Sequence, residues 1–296
     1  MSKLEPKPEF ELRCMSYNIK NDYDREGENI WSSRRDMVAG VIRFHRADLV
    51  GMQEVLFNQL DDLQQRLPEY GWIGTARDDG DKAGEFCCIF YLKKRLTLLE
   101  HGQFWLSEEP EKPGKLGWDA GCARIVTWGR FKDTYTGEVF THFNTHFDHI
   151  GVVAVEQSAH LIKRRIREIA KEENALLTGD FNMTSDSEPY RILIRQEEGE
   201  HQPLLLDASI ACDYKHFGPE FTFQGFDSAE VAARTFPPYA PSREQHGIEF
   251  DSAIDFIFVT SGVHVLNYGV IADHRKGKLP SDHYPIVADV KLHKNC

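Results

Sequence analysis

The stretch NALLTGDFNMTSD, residues 174–186, runs from a short apolar segment straight into a set of polar groups. Ala175, Leu176 and Leu177 read as a buried strand, too short for a helix and closed by Gly179. Asp180 and Asn182 follow at once, two residues apart. A buried strand that ends in a carboxylate and a carboxamide is a rigid mount, because groups on strand ends hold their geometry more tightly than groups on loops.

The same pattern recurs along the chain. Asn18 ends CMSYN, Glu54 ends DLVGMQE, and His146 ends FTHFNTH. Asp255 sits inside AIDFIF between Ile254 and Phe256, where an unpartnered charge is costly. Asp282 and His283 open SDHYPIV. Taken singly, a carboxylate after a strand is an ordinary cap or turn residue. Taken together, polar groups at one end of strand after strand can be gathered by a sheet at one rim.

The elements between them give the fold class. LRCMSYNI, DLVGMQE, GEFCCIFYL, EVFTHFNTHFD, NALLTGDF, SAIDFIFVT and HYPIVADVKL read as strands. In EVFTHFNTHFD the alternation places His142, Asn144, His146 and Asp148 on one face. Helices are expected where Met37, Val38, Val41, Ile42 and His45 recur at helical spacing, with Ser33 and Asp36 as a capping box. A second is expected over NQLDDLQQRLPEY, capped by Asn58, and a third where Val155, Ala159, Ile162, Ile166 and Ile169 form one face. Several strands follow one another with no helix between them. That predicts an α/β sandwich of two mixed, mostly antiparallel sheets with helices outside. A flexible tail over residues 1–9 and one domain over 10–294 are expected, with a long Pro- and Gly-rich loop over 224–250.

Composition narrows the function. The chain has 296 residues and a formal net charge of −12, so it lacks the basic footprint that grips a phosphate backbone without sequence preference. No apolar run is long enough to span a membrane. The charged start MSKLEPKPEFEL does not read as a signal peptide. Six scattered cysteines lack metal-type spacing and read as free thiols in a reducing, cytoplasmic setting. Carboxylate and amide oxygens are ligands for a hard divalent cation such as Mg²⁺. Histidines near carboxylates act as acids, bases or charge stabilisers. With no Gly-rich phosphate loop and no thiolate ligand set, the chemistry that remains is metal-assisted hydrolysis of a phosphate ester by water.

The ordered motifs MSYNIK, GMQEV, NTHFDH, LLTGDFN, IDFIFV and SDHYPIVADV resemble the endonuclease/exonuclease/phosphatase superfamily, from about Leu12 to Leu292. The resemblance implies a four-layer α/β sandwich and a divalent cofactor, Mg²⁺ with Mn²⁺ or another ion as alternatives. It implies Glu54 as principal metal ligand, Asn18 as an amide that helps hold metal or phosphate, and Asp282 as a second metal ligand or a water-positioning group. It implies Asp180 on the attacking water, Asn182 on the developing phosphorane, and His283 on the phosphate with Asp255 orienting it. His146 matches a general-acid histidine, and Glu85 in GEFCCIFY the carboxylate paired with it. Further segments resemble a bacterial and fungal branch and contain Arg77, Trp118, Arg124 and His149. An arginine there could fork onto phosphate oxygens, and Trp118 could stack on a ring. The expected substrate is a small or soluble phosphate ester. A nuclease acting on DNA or RNA with the same site is the alternative, and the oligomeric state is left open.

Overall fold

The computed structural model describes residues 11–24, 26–226 and 252–292, so the tail over 1–9 and nearly all of the 224–250 loop lie outside the described residues. The elements run β1 (Leu12–Asn18), α1 (Trp31–Phe44), β2 (Leu49–Gln53), α2 (Phe57–Arg66), β3 (Tyr70–Ile73), β4 (Ile89–Leu92), β5 (Leu96–Trp105), β6 (Ile125–Asp133) and β7 (Val139–His146). They continue with α3 (Val152–Ala170), β8 (Asn174–Asp180), α4 (Glu188–Ile194), β9 (Leu205–Asp207), α5 (Ala208–Ala211), β10 (Tyr214–Lys215), β11 (Asp255–Thr260), β12 (Val263–Val270) and β13 (Ile286–Leu292). One sheet has the order β10-β12-β13-β1-β2-β4-β3 and the other β5-β6-β7-β8-β11-β9. Both are mixed: β1 and β2 run parallel, as do β7 and β8, while most other neighbours are antiparallel. Among the described residues no helix is long and apolar enough to cross a membrane.

Period-two alternation sorts the side chains into layers. Met15 and Tyr17 of β1 and Val50 and Met52 of β2 pack outward against Val38, Ile42, Leu60 and Leu63 of α1 and α2. Ala175 and Leu177 of β8 and Phe256 and Phe258 of β11 pack outward against Ala159 and Ile162 of α3 and Leu193 of α4. Between the sheets, Cys14, Leu49, Phe140, Leu176, Ile257 and Ala288 form the middle layer. Each large apolar side chain fully removed from water contributes about 1.5–3 kcal/mol. Three such layers therefore make the expected four-layer sandwich.

The middle layer changes character along the strands. At one end it is apolar. Two residues further along it becomes Ser16, Gln53, His142, Asn144 and Thr178, all buried. These groups tie the sheets together. Gln53 Nε2 donates to Asn144 Oδ1 (2.7 Å), and Asn144 Nδ2 donates to Met52 O (2.8 Å) and Cys88 O (3.0 Å). The sheets approach so closely here that a Cβ at Gly51 would run into Thr178 Oγ1 and the Asn144 amide. Gly51→Ala is therefore expected to lose about 1–3 kcal/mol of stability by overpacking, measured by denaturant unfolding. Wild-type stability in that variant would show that the layer is looser than described.

Several local expectations are corrected. Helix α1 begins at Trp31 with Ile30 at its N-cap, so Ser33 lies inside the first turn and no Ser33–Asp36 capping box forms. Helix α2 starts at Phe57; Gln59 Oε1 accepts from Leu56 N, and Asn58 is not the cap. Strand β7 ends at His146, leaving Asp148 beyond it. The regular strand in GEFCCIFYL is only Ile89–Leu92, with Phe86 making isolated bridges to Val55 and Ala76. Cys14, Cys87, Cys88, Cys122 and Cys212 form no disulfide, and Cys296 lies outside the described residues.

Candidate active site

One step past the polar layer the strands end, and the strand-end groups converge. His146 of β7 pairs in register with Asp180 of β8, and Asp180 with Asp255 of β11. Each is followed by a phenylalanine that points to the opposite face. Phe147, Phe181 and Phe256 form one aromatic cluster, with Phe147 and Phe181 centroids 4.9 Å apart and Phe181 and Phe256 6.0 Å apart. That packing fixes three strand ends from behind while their polar residues face the other sheet.

The second sheet rim meets them. Asn18 Nδ2 donates to Glu54 Oε1 (3.0 Å) and to Asp180 Oδ2 (2.9 Å), bridging the two sheets. Asn18 Oδ1 accepts from Lys20 N (3.0 Å), so this amide turns its nitrogen to the carboxylates. It clamps the two carboxylates, while Oδ1 keeps a second lone pair. Glu54 Oε2 accepts from Asn21 Nδ2 (2.7 Å) and Asn21 N (3.2 Å). Burial opposes the Glu54 charge, but Lys20, His283 and the Asn18 amide hold its carboxyl below the usual range. Glu54, Asp180 and His283 place ligand-type atoms within 4.8 Å of one another. Lys20, Glu54 and Asn182 all have positive φ (56°, 61° and 47°), uncommon for residues with side chains, and strain of this kind clusters at functional sites.

His283 is held by Asp255, with Nδ1 2.9 Å from Oδ2, while its Nε2 lies 3.7 Å from Asp180 Oδ2. Phe223 packs on its ring at a centroid distance of 5.0 Å. Burial disfavours the imidazolium, but Asp255 and Asp180 outweigh it and push His283 up to about 10. Asp180 is itself raised to about 7, by burial and by the charge of Asp255, against the pull of His283. His146 goes the other way. Burial, then Arg124 and Arg77, hold it well below the ordinary histidine value. Asn182 Nδ2 lies 3.1 Å from His146 Nε2 and 3.0 Å from Phe147 O. An amide nitrogen donates, so His146 Nε2 accepts and the ring proton sits on Nδ1.

Glu85 does not pair with His146. Its carboxylate accepts from Arg77 Nη1 (2.5 Å) and Asn21 Nδ2 (3.1 Å), and His146 Nδ1 has no hydrogen-bond partner among the described residues. Arg77 draws Glu85 away because it offers full charge where the imidazole is neutral. Trp118 is also absent from the cavity; it packs against the apolar layer under α3.

Arg77, Glu85, Arg124 and His149 line the same cavity as Glu54, Asp180 and Asp282, a space of about 400 Å³. Arg124 is 4% exposed and is steadied by Asp148 (Nε to Oδ2, 3.4 Å) and His149 (Nη2 to Nδ1, 2.9 Å). Its Nη1 is buried without a partner among the described residues. Asp148 is buried, yet Gly151 N, Ile150 N and Arg124 hold it down at about 2. Cys122, Asp148 and His149 also cluster, but the Arg124 guanidinium already supplies the positive charge there. Lys20 and Asn21 were not singled out from the sequence. They sit two and three residues past Asn18 on the turn after β1, where a lysine or asparagine carries no signal of its own.

Residues 15–283 match the sequence profile of the Endonuclease/Exonuclease/phosphatase family. The chain belongs to that family. Solved structures of the family agree with the fold. An endonuclease/exonuclease/phosphatase protein from Bacteroides vulgatus is 40% identical with a TM-score of 0.84, covering 96% of this chain and 99% of that one. A mannosyl-6-phosphatase from Bacteroides thetaiotaomicron is 35% identical with a TM-score of 0.80, over 95% of this chain and 100% of that one. The curated mimivirus protein R895, uncharacterized, is 23% identical over 287 residues, which is 83% of this chain but 39% of that protein. This chain thus spans well under half the length of that relative. Family members are hydrolases of phosphate esters and generally work with divalent metals.

Proposed function

We propose that this protein is a divalent-cation-dependent phosphoesterase acting on a small phosphorylated molecule, with phosphorylated sugars as the favoured class. The observation that carries this reading is the cavity of about 400 Å³, lined by Glu54, Asp180, Asp282 and His283 together with Arg77 and Arg124. That is room for one compact phosphorylated ligand. The likeness to the mannosyl-6-phosphatase supports the sugar class.

The donor chemistry fits a hard cation. Glu54, Asp180 and Asp282 face the cavity, with Asp255 behind His283, and their oxygens are the ligand type that Mg²⁺ takes. Glu54 and Asp282 would hold the ion, which when bound supplies charge neutralisation at the phosphoryl group. The chain's own residues do the rest. Asp180, held above the ordinary carboxylate value by burial and the charge of Asp255, stands in the cavity as the acceptor of a proton from the attacking water. His283, kept protonated by Asp255, directs its Nε2–H toward the phosphoryl oxygens. Arg124 Nη1, in the cavity lining and unpartnered among the described residues, donates to the same group. His146 is neutral and fixes the Asn182 amide, in place of the proton donation expected from the sequence.

The test compares catalytic efficiency on sugar phosphates and nucleotides with nicking of supercoiled plasmid, at matched Mg²⁺ and low salt. Sugar phosphates are expected to be preferred, since a net charge of −12 repels a polyanion. Plasmid nicking without small-molecule turnover would overturn the reading in favour of a nuclease.

A further inference from the structure

Lys20 stands beside the proposed ion-holding pair in an unusual way. Its backbone adopts a φ of 56° directly after β1. Neighbours hold that conformation on both sides: Asn18 Oδ1 accepts from its N–H, while Gln59 Nε2 (2.9 Å) and Arg34 Nη2 (3.1 Å) donate to its carbonyl. The result is an ammonium aimed into the cavity. Lys20 Nζ lies 3.6 Å from Asp282 Oδ2 and 3.9 Å from Glu54 Oε2, with the side chain 29% exposed. Both distances exceed ordinary hydrogen-bond range, so charge holds the ammonium there without a fixed bond.

Besides the His283 imidazolium, a further cation near this pair is built differently. Arg34 is 1% exposed, and its guanidinium donates to the backbone carbonyls of Ile19, Lys20, Asn21, Asn29 and Pro280. It cannot leave. Lysine is a compact charge on a flexible four-carbon stem and can swing into the open cavity. Two carboxylates facing each other without a cation repel and resist ionisation.

We propose that Lys20 is an exchangeable counter-cation of the divalent-ion site. Its ammonium holds Glu54 and Asp282 in place when no ion is bound and is displaced when the ion enters. Ion affinity is thereby set by competition with a charge the chain itself carries. This inference rests on the reading above, in which Glu54 and Asp282 hold the ion.

Mn²⁺ binding to wild type, Lys20→Met and Lys20→Arg, by calorimetry and by the electron paramagnetic signal of free Mn²⁺, tests it without substrate. Lys20→Met should bind Mn²⁺ about tenfold or more tightly, since one unit charge at about 4 Å no longer competes. Lys20→Arg should bind as the wild type does. Lys20→Met should also melt at a lower temperature than wild type without ion and gain more from added Mn²⁺. If Lys20→Met fails to fold, Lys20→Gln makes the same comparison. Equal or weaker Mn²⁺ binding in the neutral variant overturns the proposal, as does Lys20→Arg binding as tightly as Lys20→Met. If wild type and neutral variant both bind no Mn²⁺, the metal reading of the site falls, and this inference with it.

Discussion

Asp180→Ala is expected to lower the turnover of a phosphate ester by about 10²–10⁴-fold, and His283→Ala by a similar factor. The two side chains share one electrostatic unit. His283 lies between Asp255, 2.9 Å away, and Asp180, 3.7 Å away. On the proposed mechanism, removing Asp180 takes away the proton acceptor and, with it, one of the charges that raise His283. Removing His283 takes away the positive charge proposed to face the phosphate and leaves Asp180 and Asp255 opposed across the strand pair. The double variant should therefore be little worse than either single one, because groups that act together lose their function together. Steady-state kinetics on a small phosphate ester read the effect, with circular dichroism confirming the fold. A folded variant with wild-type turnover contradicts the assignment.

Glu54→Gln should remove most activity through the ion. The substitution is nearly isosteric and keeps one of the two acceptor oxygens, so it can still accept from Asn18 Nδ2 or from Asn21 Nδ2, which now hold Glu54 at 3.0 and 2.7 Å, but not from both. The fold should survive. The charge that attracts a divalent cation does not. The Mg²⁺ concentration needed for half-maximal activity should rise by more than the about 10–100-fold typical of residues that merely support a ligand. A Mg²⁺ activation curve measures this, and a curve that overlays the wild type would remove Glu54 from the ion site.

Much of the site was legible because its residues follow a simple rule. Polar groups at the ends of apolar strands, each with an apolar neighbour in sequence, are what a sheet rim requires, and Asp180-Phe181 and Asp255-Phe256 carry that pattern openly. The partner choices were not legible. Whether Glu85 pairs with His146 or Arg77 depends on where Asn21 and Arg77 fall in space, and no periodicity encodes that. Which way the Asn18 amide turns was not legible either, since the Lys20 N–H decides it. In the fold, β3, β5, β6, β9, β10 and β12 were missed. Strand β5 is an edge strand with mostly half-exposed or exposed positions along its middle, so its apolar pattern is weak. Helix α4 spans only Glu188–Ile194 and depends on Ser187 as its cap, too short for a helical period to stand out.

The central claim is that a divalent ion at Glu54 and Asp282 and the Asp180–His283 pair together hydrolyse a phosphate ester. The most direct measurement is hydrolysis of mannose 6-phosphate by wild-type protein stripped of metal with a chelator, before and after Mg²⁺ is restored. Phosphate release should be near background in the stripped protein and return on addition of Mg²⁺. Undiminished release in the presence of excess chelator would contradict the account.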